Sequence, residues 1–336
     1  MRAQALLLLV TLSSALPGFA QAEKARVLYF SSTTNPQGMQ EAGIAIRIVT
    51  NLPAPVDAAQ NTMTLRGAAG DVDLGEWLFR ELDQAPAAVP VTREYSVGDA
   101  VVRVFHLAFA STPQQLQEVV NLLRTVSEIQ RISPCFGPRA VALRGTGVQV
   151  ALADSLIKAV DRPDAPIPPT AAFEYREPAP KPWPLVAEST AVRVFYLKHA
   201  ETAQSVQELV NLIRTVAEIQ RMFPYNPLKA IVMRGTPNQV ALAEWLIGEL
   251  DGPASAEGQA EASYDFQEDR EMGYRSVRVL RPARLRTPQD LIQAVNKLRT
   301  ETGIQRIFPY LGRNALAMRG TASQVALAEQ IAKQWE

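Results

Sequence analysis

The chain has 336 residues, with 34 basic and 34 acidic side chains and a formal net charge of zero. Its composition, 47% hydrophobic and 20% charged, is typical of globular domains and excludes a collagen, a disordered tail protein and a disulfide scaffold. The zero net charge argues against ligands that are held by a strong cationic field. The single cysteine, Cys135, excludes an intramolecular disulfide, and the two histidines leave little for a metal site.

The first segment, 1–22, has the features of a cleavable export signal. Arg2 precedes a short apolar run at 5–12, and positions 20–22 read Ala-Gln-Ala, a small-x-small cleavage sequence. The run is shorter than the ~20 apolar residues that a membrane-spanning helix needs. We therefore predict a periplasmic or secreted chain that begins at Glu23 and has no integral membrane segment. The alternative is that 1–22 forms a buried helix of the mature fold.

The rest of the chain is one pattern written four times. Residues 102–162 align with 192–252 without a gap, and 33 of the 61 positions are identical. A third copy begins at Val277, and in all three copies 42 residues separate the first valine from the arginine of an Arg-Gly-Thr sequence. A diverged copy comes first, with its own Arg-Gly at 66–67.

Each copy predicts the same elements in the same order, shown here for the second copy. A branched and aromatic run at 102–109 predicts a strand, and Thr112-Pro113 begins a helix with an N-cap followed by proline. Two short strands follow, at 128–133 and 139–144. Gly145 is expected at a sharp turn into the last helix, which begins at the capping box Thr146-x-x-Gln149.

This order predicts an α+β fold of tandem, small, two-layer βαββα modules. The predicted division is a signal peptide at 1–22, module 1 at 23–84, a linker at 85–100, module 2 at 101–162, a proline-rich linker at 163–190, module 3 at 191–252, an acidic linker at 253–275 and module 4 at 276–336. An aromatic segment precedes modules 2, 3 and 4, at 93–95, 173–175 and 264–266. Each segment is either an additional edge strand or a surface loop.

Three stretches of module 3 carry a resemblance to a known family. They are Val-Arg-Val-Phe-Tyr-Leu-Lys-His-Ala at 192–200, Gln-Glu-Leu-Val-Asn-Leu at 207–212, and Ile-Val-Met-Arg-Gly-Thr-Pro at 231–237 with the later Leu-Ile-x-x-Leu-Asp at 246–251. They resemble the N-terminal short repeat domains of bacterial secretins, the outer-membrane channel proteins of type II and III secretion and of type IV pili. The resemblance implies a periplasmic βαββα fold, similar to KH domains, that stacks into rings or binds secretion partners. No secretin pore domain follows the repeats, so we expect the binding modules without the channel.

The sequence predicts no catalytic, cofactor-binding or metal site. Cys135 occupies the place that Tyr225 and Tyr310 hold in the sibling modules, which favours a loop surface over a nucleophile. The sequence Gly-Ala-Ala-Gly at 67–70 matches the KH-type GxxG by letter, but it lies between a predicted strand and a predicted helix. We expect no cofactor and no small-molecule substrate.

A candidate protein-interaction patch lies on the middle strands of modules 3 and 4. Alternation places Arg221 and Phe223 on the side of the sheet away from the helices, with Tyr225 at the strand end. The corresponding residues of module 4 are Arg306, Phe308 and Tyr310. Arginine beside aromatic residues is enriched at interface hot spots, so this patch is predicted to contact a partner chain or another copy. The alternative is that the aromatic side chains pack beneath the neighbouring module or linker.

These features predict an exported, non-enzymatic protein of assembly or protein–protein interaction, an accessory of a secretion or pilus outer-membrane system. A protein partner or self-association, including a secretin-like ring, is expected. The alternative is an exported KH-like nucleic-acid-binding protein. The export signal, the zero net charge and the missing GxxG in three modules favour the first hypothesis.

The export signal gives the first testable prediction. N-terminal sequencing of the protein from its cellular compartment should find Glu23 as the first residue, because signal peptidase cleaves after a small-x-small sequence. An intact Met1 on the accumulated protein would contradict this prediction.

Overall fold

The computed structural model describes residues 23–86, 92–176, 189–252, 262–267, 273–285 and 287–335. The predicted signal segment 1–22 lies outside these residues. Four successive antiparallel sheets are each covered on one side by two helices, and we call each such unit a module. Among the described helices, the longest have 15 residues, and none has the length and apolarity that crossing a bilayer requires.

The elements follow one order in all modules. Module 1 contains β1 (Glu23–Tyr29), α1 (Pro36–Thr50), β2 (Val56–Asp57), β3 (Thr62–Ala68) and α2 (Ala69–Leu82). Module 2 contains β4 (Thr92–Val97), β5 (Ala100–His106), α3 (Pro113–Val126), β6 (Arg131–Cys135), β7 (Ala140–Thr146) and α4 (Gly147–Val160). Module 3 contains β8 (Ala171–Glu174), β9 (Ala191–Tyr196), α5 (Ala203–Val216), β10 (Arg221–Tyr225), β11 (Ala230–Gly235) and α6 (Pro237–Leu250). Module 4 contains β12 (Ala262–Asp265), β13 (Ser276–Leu280), α7 (Pro288–Thr302), β14 (Arg306–Tyr310), β15 (Ala315–Gly320) and α8 (Ala322–Ala332).

The predicted fold class, tandem two-layer α+β modules, is confirmed, with one addition. The sheet order is β1-β3-β2 in module 1, whereas modules 2 to 4 have four strands, in the orders β4-β5-β7-β6, β8-β9-β11-β10 and β12-β13-β15-β14. The additional edge strands β4, β8 and β12 contain or adjoin the aromatic segments. Of the two alternatives for these segments, the edge strand is therefore the one that forms. The predicted linkers 85–100, 163–190 and 253–275 therefore each contribute a strand. Whether the predicted boundaries delimit units that fold alone stays a prediction.

The predicted helix starts are formed as hydrogen-bonded caps. In α3, the Thr112 hydroxyl accepts from the Gln115 N–H at 3.2 Å, and the Gln115 side chain accepts from the Thr112 N–H in return. The same capping box begins α4, where Gly145 precedes it. A Cβ on Gly145 would lie 3.0 Å from the Gln149 Oε1 atom, and its φ is not positive. The glycine at this turn therefore allows the close approach of the capping side chain and does not adopt a left-handed conformation.

An aspartate after the last helix of a module ties down the loop after the first strand. The Asp161 carboxylate accepts from the backbone N–H groups of Ala108, Phe109 and Ala110, and Asp251 binds the equivalent loop of module 3. In module 1 the same position is Asp83. Burial alone would raise the pKa of Asp83, but the N–H groups of Ser31 and Thr33 bring it below its ordinary value. These bonds fix the two ends of each of modules 1, 2 and 3 against one another.

The outer face of a sheet, the side away from the module's own helices, is covered by the preceding module. The core of module 2 is continuous with outer-face residues of module 3, among them Val192, Val194 and Val232. The core of module 3 continues in the same way into Val277 and Val279 of module 4. At each junction the first helix of one module packs on a strand of the next: α1 on β6, α3 on β10, and α5 on β14. The modules are stacked head to tail with shared apolar cores.

One stripe of each first helix makes this junction. In α5 the stripe contains Glu208, Leu212 and Val216, at i, i+4 and i+8, and both apolar residues are fully buried. The corresponding residues of α3 are Glu118, Leu122 and Val126, and those of α1 are Glu41, Ala45 and Val49. No described sheet packs on the first helix of module 4, and there the three equivalent residues, Gln293, Lys297 and Glu301, are exposed.

The stripe gives a stability prediction. Leu212→Ala should lower the free energy of unfolding by about 2–5 kcal/mol, because it leaves a cavity in the junction between modules 3 and 4. The matched control is Ile292→Ala on α7, which removes an apolar side chain that is 41% exposed and should change stability by less than about 0.5 kcal/mol. Urea unfolding measures both variants. Similar losses in the two would contradict the assignment of the stripe.

Candidate protein-interaction site

The structure brings the predicted patch residues together on the outer faces of modules 3 and 4. Arg221, Phe223 and Tyr225 lie on β10, and Tyr225 is 2% exposed against the core of module 2. Arg306, Phe308 and Tyr310 lie on β14 in the same arrangement against module 3. Both trios therefore take part in a junction within the chain. Their contact with a separate partner chain or with another copy stays a prediction.

A pair of arginines and one glutamate form a charge clamp at the junction of modules 2 and 3. The Glu128 carboxylate lies 2.8 Å from Arg221 Nε and 2.7 Å from Arg234 Nη2, on two adjacent strands of module 3. Arg234 also donates to the Val126 carbonyl at 2.8 Å, and the residue is only 3% exposed. Glu128 follows the end of α3 with a φ of 57°, a left-handed conformation that directs the chain, and its side chain, toward module 3.

The clamp is repeated at the junction of modules 3 and 4. Glu218, which also has a φ of 57°, pairs with Arg306 at 2.8 Å and with Arg319. Arg319 is 2% exposed. Because a buried guanidinium without a carboxylate would be costly, the clamp constrains the register in which two modules dock.

Aromatic rings from the edge-strand segments cover the buried arginines. The Arg234 guanidinium lies 4.1 Å from the ring centroid of Tyr175, and that of Arg319 lies 4.5 Å from the ring of Phe266. A guanidinium over a ring face at this distance gains a cation–π interaction. The aromatic segments thus contact the buried arginines at the junctions between modules. Neither of the two sequence interpretations, an edge strand or a surface loop, included this contact.

A second glutamate, on the stripe itself, accepts a backbone N–H from the next module. Glu41 accepts from Phe136 and Glu208 accepts from Leu311, each at 3.2 Å, and Glu118 accepts from the Asn226 backbone. Burial raises the pKa of Glu118, and these hydrogen bonds only partly offset the rise. Burial also acts on Glu128, but there the bonds from Arg221 and Arg234 prevail and hold its pKa below the ordinary value. The contribution of Glu118 to the free energy of unfolding therefore decreases as the pH rises through its folded-state pKa. The contribution of Glu128 decreases as the pH falls through its own.

The junction of modules 1 and 2 lacks the clamp. Asn51 stands where Glu128 and Glu218 stand in the later modules, so that position supplies no carboxylate to Arg144. Cys135 is 2% exposed in the core shared with module 1, so the expected loop surface is wrong. Burial raises the pKa of its thiol, with a smaller contribution from Glu41, which keeps it protonated and poorly nucleophilic.

The other motifs lie apart from these junctions. Across the described part of the chain, no group of three or more His, Cys, Asp or Glu side chains is arranged to hold a metal ion. Gly67 is in β3 and Gly70 is in α2, so the four-residue match does not join two helices as the KH loop does. A Cβ on Gly67 would lie 2.6 Å from Leu52 Cδ2, which explains the glycine by packing.

No protein-family model matches the chain, and no curated protein matches it. Two solved structures are similar to parts of it at low identity. ExeD of Aeromonas hydrophila has 16% identity and a TM-score of 0.16, over 69% of this chain and 41% of that one. A chain of the pilotin–secretin AspS–GspD complex of ETEC has 13% identity and a TM-score of 0.17, over 92% of this chain and 54% of that one. This chain thus spans about half of those chains or less.

The clamp gives a pH-dependent prediction. Glu128→Gln should destabilise the protein by about 1–3 kcal/mol at neutral pH, because Arg234 stays buried without its carboxylate. The folded-state pKa of Glu128 is lowered, so its contribution to stability is fully present above the unfolded-state pKa of about 4.3. That contribution is lost as the pH falls through the folded-state pKa. The stability difference between wild type and variant should therefore shrink in acid, as measured by urea unfolding across pH.

The control variant is Glu23→Gln, which disrupts an ion pair with Arg66 whose two side chains are 60% and 70% exposed. It should leave stability unchanged at both ends of the pH range. A difference for Glu128→Gln that persists undiminished in acid would show that the lost interaction is not ionic.

Proposed function

We propose that the chain is an exported, non-enzymatic assembly protein that binds other proteins through its sheet faces, as an accessory of a secretion or pilus outer-membrane system. Three lines of support converge on this proposal. Segment 1–22 reads as an export signal, the repeats resemble secretin N-terminal domains in sequence, and the described residues use their sheets as docking surfaces.

The observation that carries the proposal is the outer face of module 1. At three junctions the outer face of a sheet receives the first helix of the preceding module. In module 1 no described residue precedes β1, and Val27 and Tyr29 on that face are 52% and 71% exposed. Large apolar residues in adjacent positions on an exposed sheet favour a protein contact. The same fold feature that holds the chain together is thus available to another protein.

The charges of the outer faces do not favour the nucleic-acid alternative. Arg221 and Arg234 bind Glu128, and Arg306 and Arg319 bind Glu218. These guanidinium groups, which would be natural ligands for phosphate, are directed at carboxylates of the same chain.

Photo-crosslinking in living cells tests the proposal. A crosslinking side chain at Tyr29, which is exposed, should capture an envelope protein, whereas the same side chain at Phe109, also exposed but in a loop of module 2, serves as the matched control. The purified protein should show no binding to nucleic acid that rises steeply as salt is lowered, because such binding depends on counterion release. A salt-dependent nucleic-acid complex without protein capture would favour the KH-like alternative.

A further inference from the structure

We propose that the outer face of module 1 is a docking site for an amphipathic helix of a different protein, carrying the same stripe that α3 and α5 present inside this chain. The inference rests on the proposed function and specifies its partner. The required stripe is Glu at position i, an apolar residue at i+4, Val at i+8 and Glu at i+10, as in Glu118, Leu122, Val126 and Glu128.

Strand register relates β1 and β3 of module 1 to β5 and β7 of module 2, whereas β2, the counterpart of β6, has only two residues and carries Asp57 where module 2 has Cys135. Ala25 pairs with Arg66 in module 1 as Val102 pairs with Arg144 in module 2. Two residues on, Val27 therefore corresponds to Val104, which is completely buried beneath module 1. Val27 is 52% exposed, so the strand position that is covered in module 2 is open in module 1.

The positive charge of Arg66 on this face complements the glutamate at position i+10 of the stripe. Arg66 corresponds to Arg234 and Arg319, the buried arginines of the two charge clamps. In module 1 it pairs with Glu23 on its own sheet, and both side chains are largely exposed. A carboxylate arriving two residues after the last apolar position of a docked helix would meet Arg66 as Glu128 meets Arg234.

A second copy of this chain does not provide such a helix. Among the first helices that the structure describes, α7 alone packs on no following sheet, and its stripe reads Gln293, Lys297, Glu301 and then Gly303. Docking α7 would bury Lys297 where Leu122 and Leu212 are fully buried, at the cost of desolvating an ammonium group.

The second helices of modules 1 and 3 carry a tryptophan at the junction, whereas the equivalent residues of modules 2 and 4 are the polar Ser155 and Gln330. Trp77 and Trp245, on the second helices of modules 1 and 3, stack on Tyr95 and Tyr264 of the next module's edge strand. The equivalent residue of module 4 is Gln330, which is exposed. A polar outer surface on a terminal repeat is how repeat proteins end their stacks. Of the described residues, those at the module 4 end are therefore polar, with Lys297 and Glu301 exposed, whereas Val27 and Tyr29 are exposed at the module 1 end.

The test restores the stripe on α7 and asks whether module 1 accepts it. In the chain from Glu23 onward, which includes every described residue, the changes are Gln293→Glu, Lys297→Leu, Glu301→Val and Gly303→Glu. Gly303 has a φ of 73°, close to the 57° of Glu128 and Glu218, and a Cβ there meets nothing closer than 3.5 Å. The new side chain therefore fits the conformation that the sibling modules already use.

The wild-type chain should sediment as a monomer. The restored chain should associate head to tail, with a mean mass that rises about twofold or more with concentration. Adding Val27→Lys and Tyr29→Lys should return it to a monomer, since these changes place charge beneath the incoming helix. The same two lysines in the wild-type background should leave circular dichroism and urea unfolding unchanged, because both positions are exposed. If the fourfold variant unfolds, Lys297→Leu with Gly303→Glu carries the test.

Three results would overturn the inference: a folded restored chain that stays monomeric, an association that the two lysines do not reverse, or a wild-type chain that already associates through Val27 and Tyr29. These outcomes are separable from failure of the proposed function. Crosslinked capture in cells that survives Val27→Lys with Tyr29→Lys would leave an assembly role standing and move its site elsewhere. Loss of all capture would instead remove the assembly role.

Discussion

The whole structure depends on one geometric constraint: two helices cover only one face of a small sheet. The opposite face of the sheets in modules 2 to 4 is apolar at its centre, with the pairs Val102 and Val104, Val192 and Val194, and Val277 and Val279. Leaving such a face in water would cost about 25 cal/mol for each Å² of apolar surface. The chain removes this cost by placing the first helix of one module on the outer face of the next, which extends the cores of modules 1, 2 and 3 onto the sheet that follows each of them.

The polar contacts at the junctions act mainly on register. Apolar residues on a helix and a flat sheet can slide past one another with little change in buried area. Glu128 between Arg221 and Arg234 permits only one alignment, because any slip leaves Arg234 buried without its carboxylate. At the first junction, where Asn51 replaces that acid, the polar contacts include the bond from the Phe136 N–H to Glu41 and the ion pair of Arg93 with Glu81. A few charged residues thus set the alignment of one module on the next, on a surface whose apolar contacts allow several alignments.

The sequence predicted the modules well and their stacking poorly, for a physical reason. Capping boxes such as Thr146-x-x-Gln149 are local, and their hydrogen bonds form as expected. Alternation on β10 correctly assigns Met222 to the helices and Arg221 to the opposite side, but alternation cannot tell which element covers that side. The signal that could have done so is a difference between copies: Leu122 and Leu212 become Lys297, and Glu128 and Glu218 become Gly303. A position that turns polar only in the last repeat marks a surface that has lost its neighbour.

Because a helix always docks on the sheet that follows it, the stack has a direction and its two ends are chemically unlike. Module 4 ends in Lys297 and Glu301, which water solvates well, so nothing is gained by adding a further sheet there. The outer face of module 1 exposes Val27 and Tyr29, and this is the face on which we propose that a helix docks. With the docking proposed for module 1, a chain with one apolar and one polar end would bind a single partner of this kind and would not extend into a filament, since each further addition would need a second apolar face. The charged residues of α7 would therefore limit the size of the assembly, although they lie three modules away from the proposed docking surface.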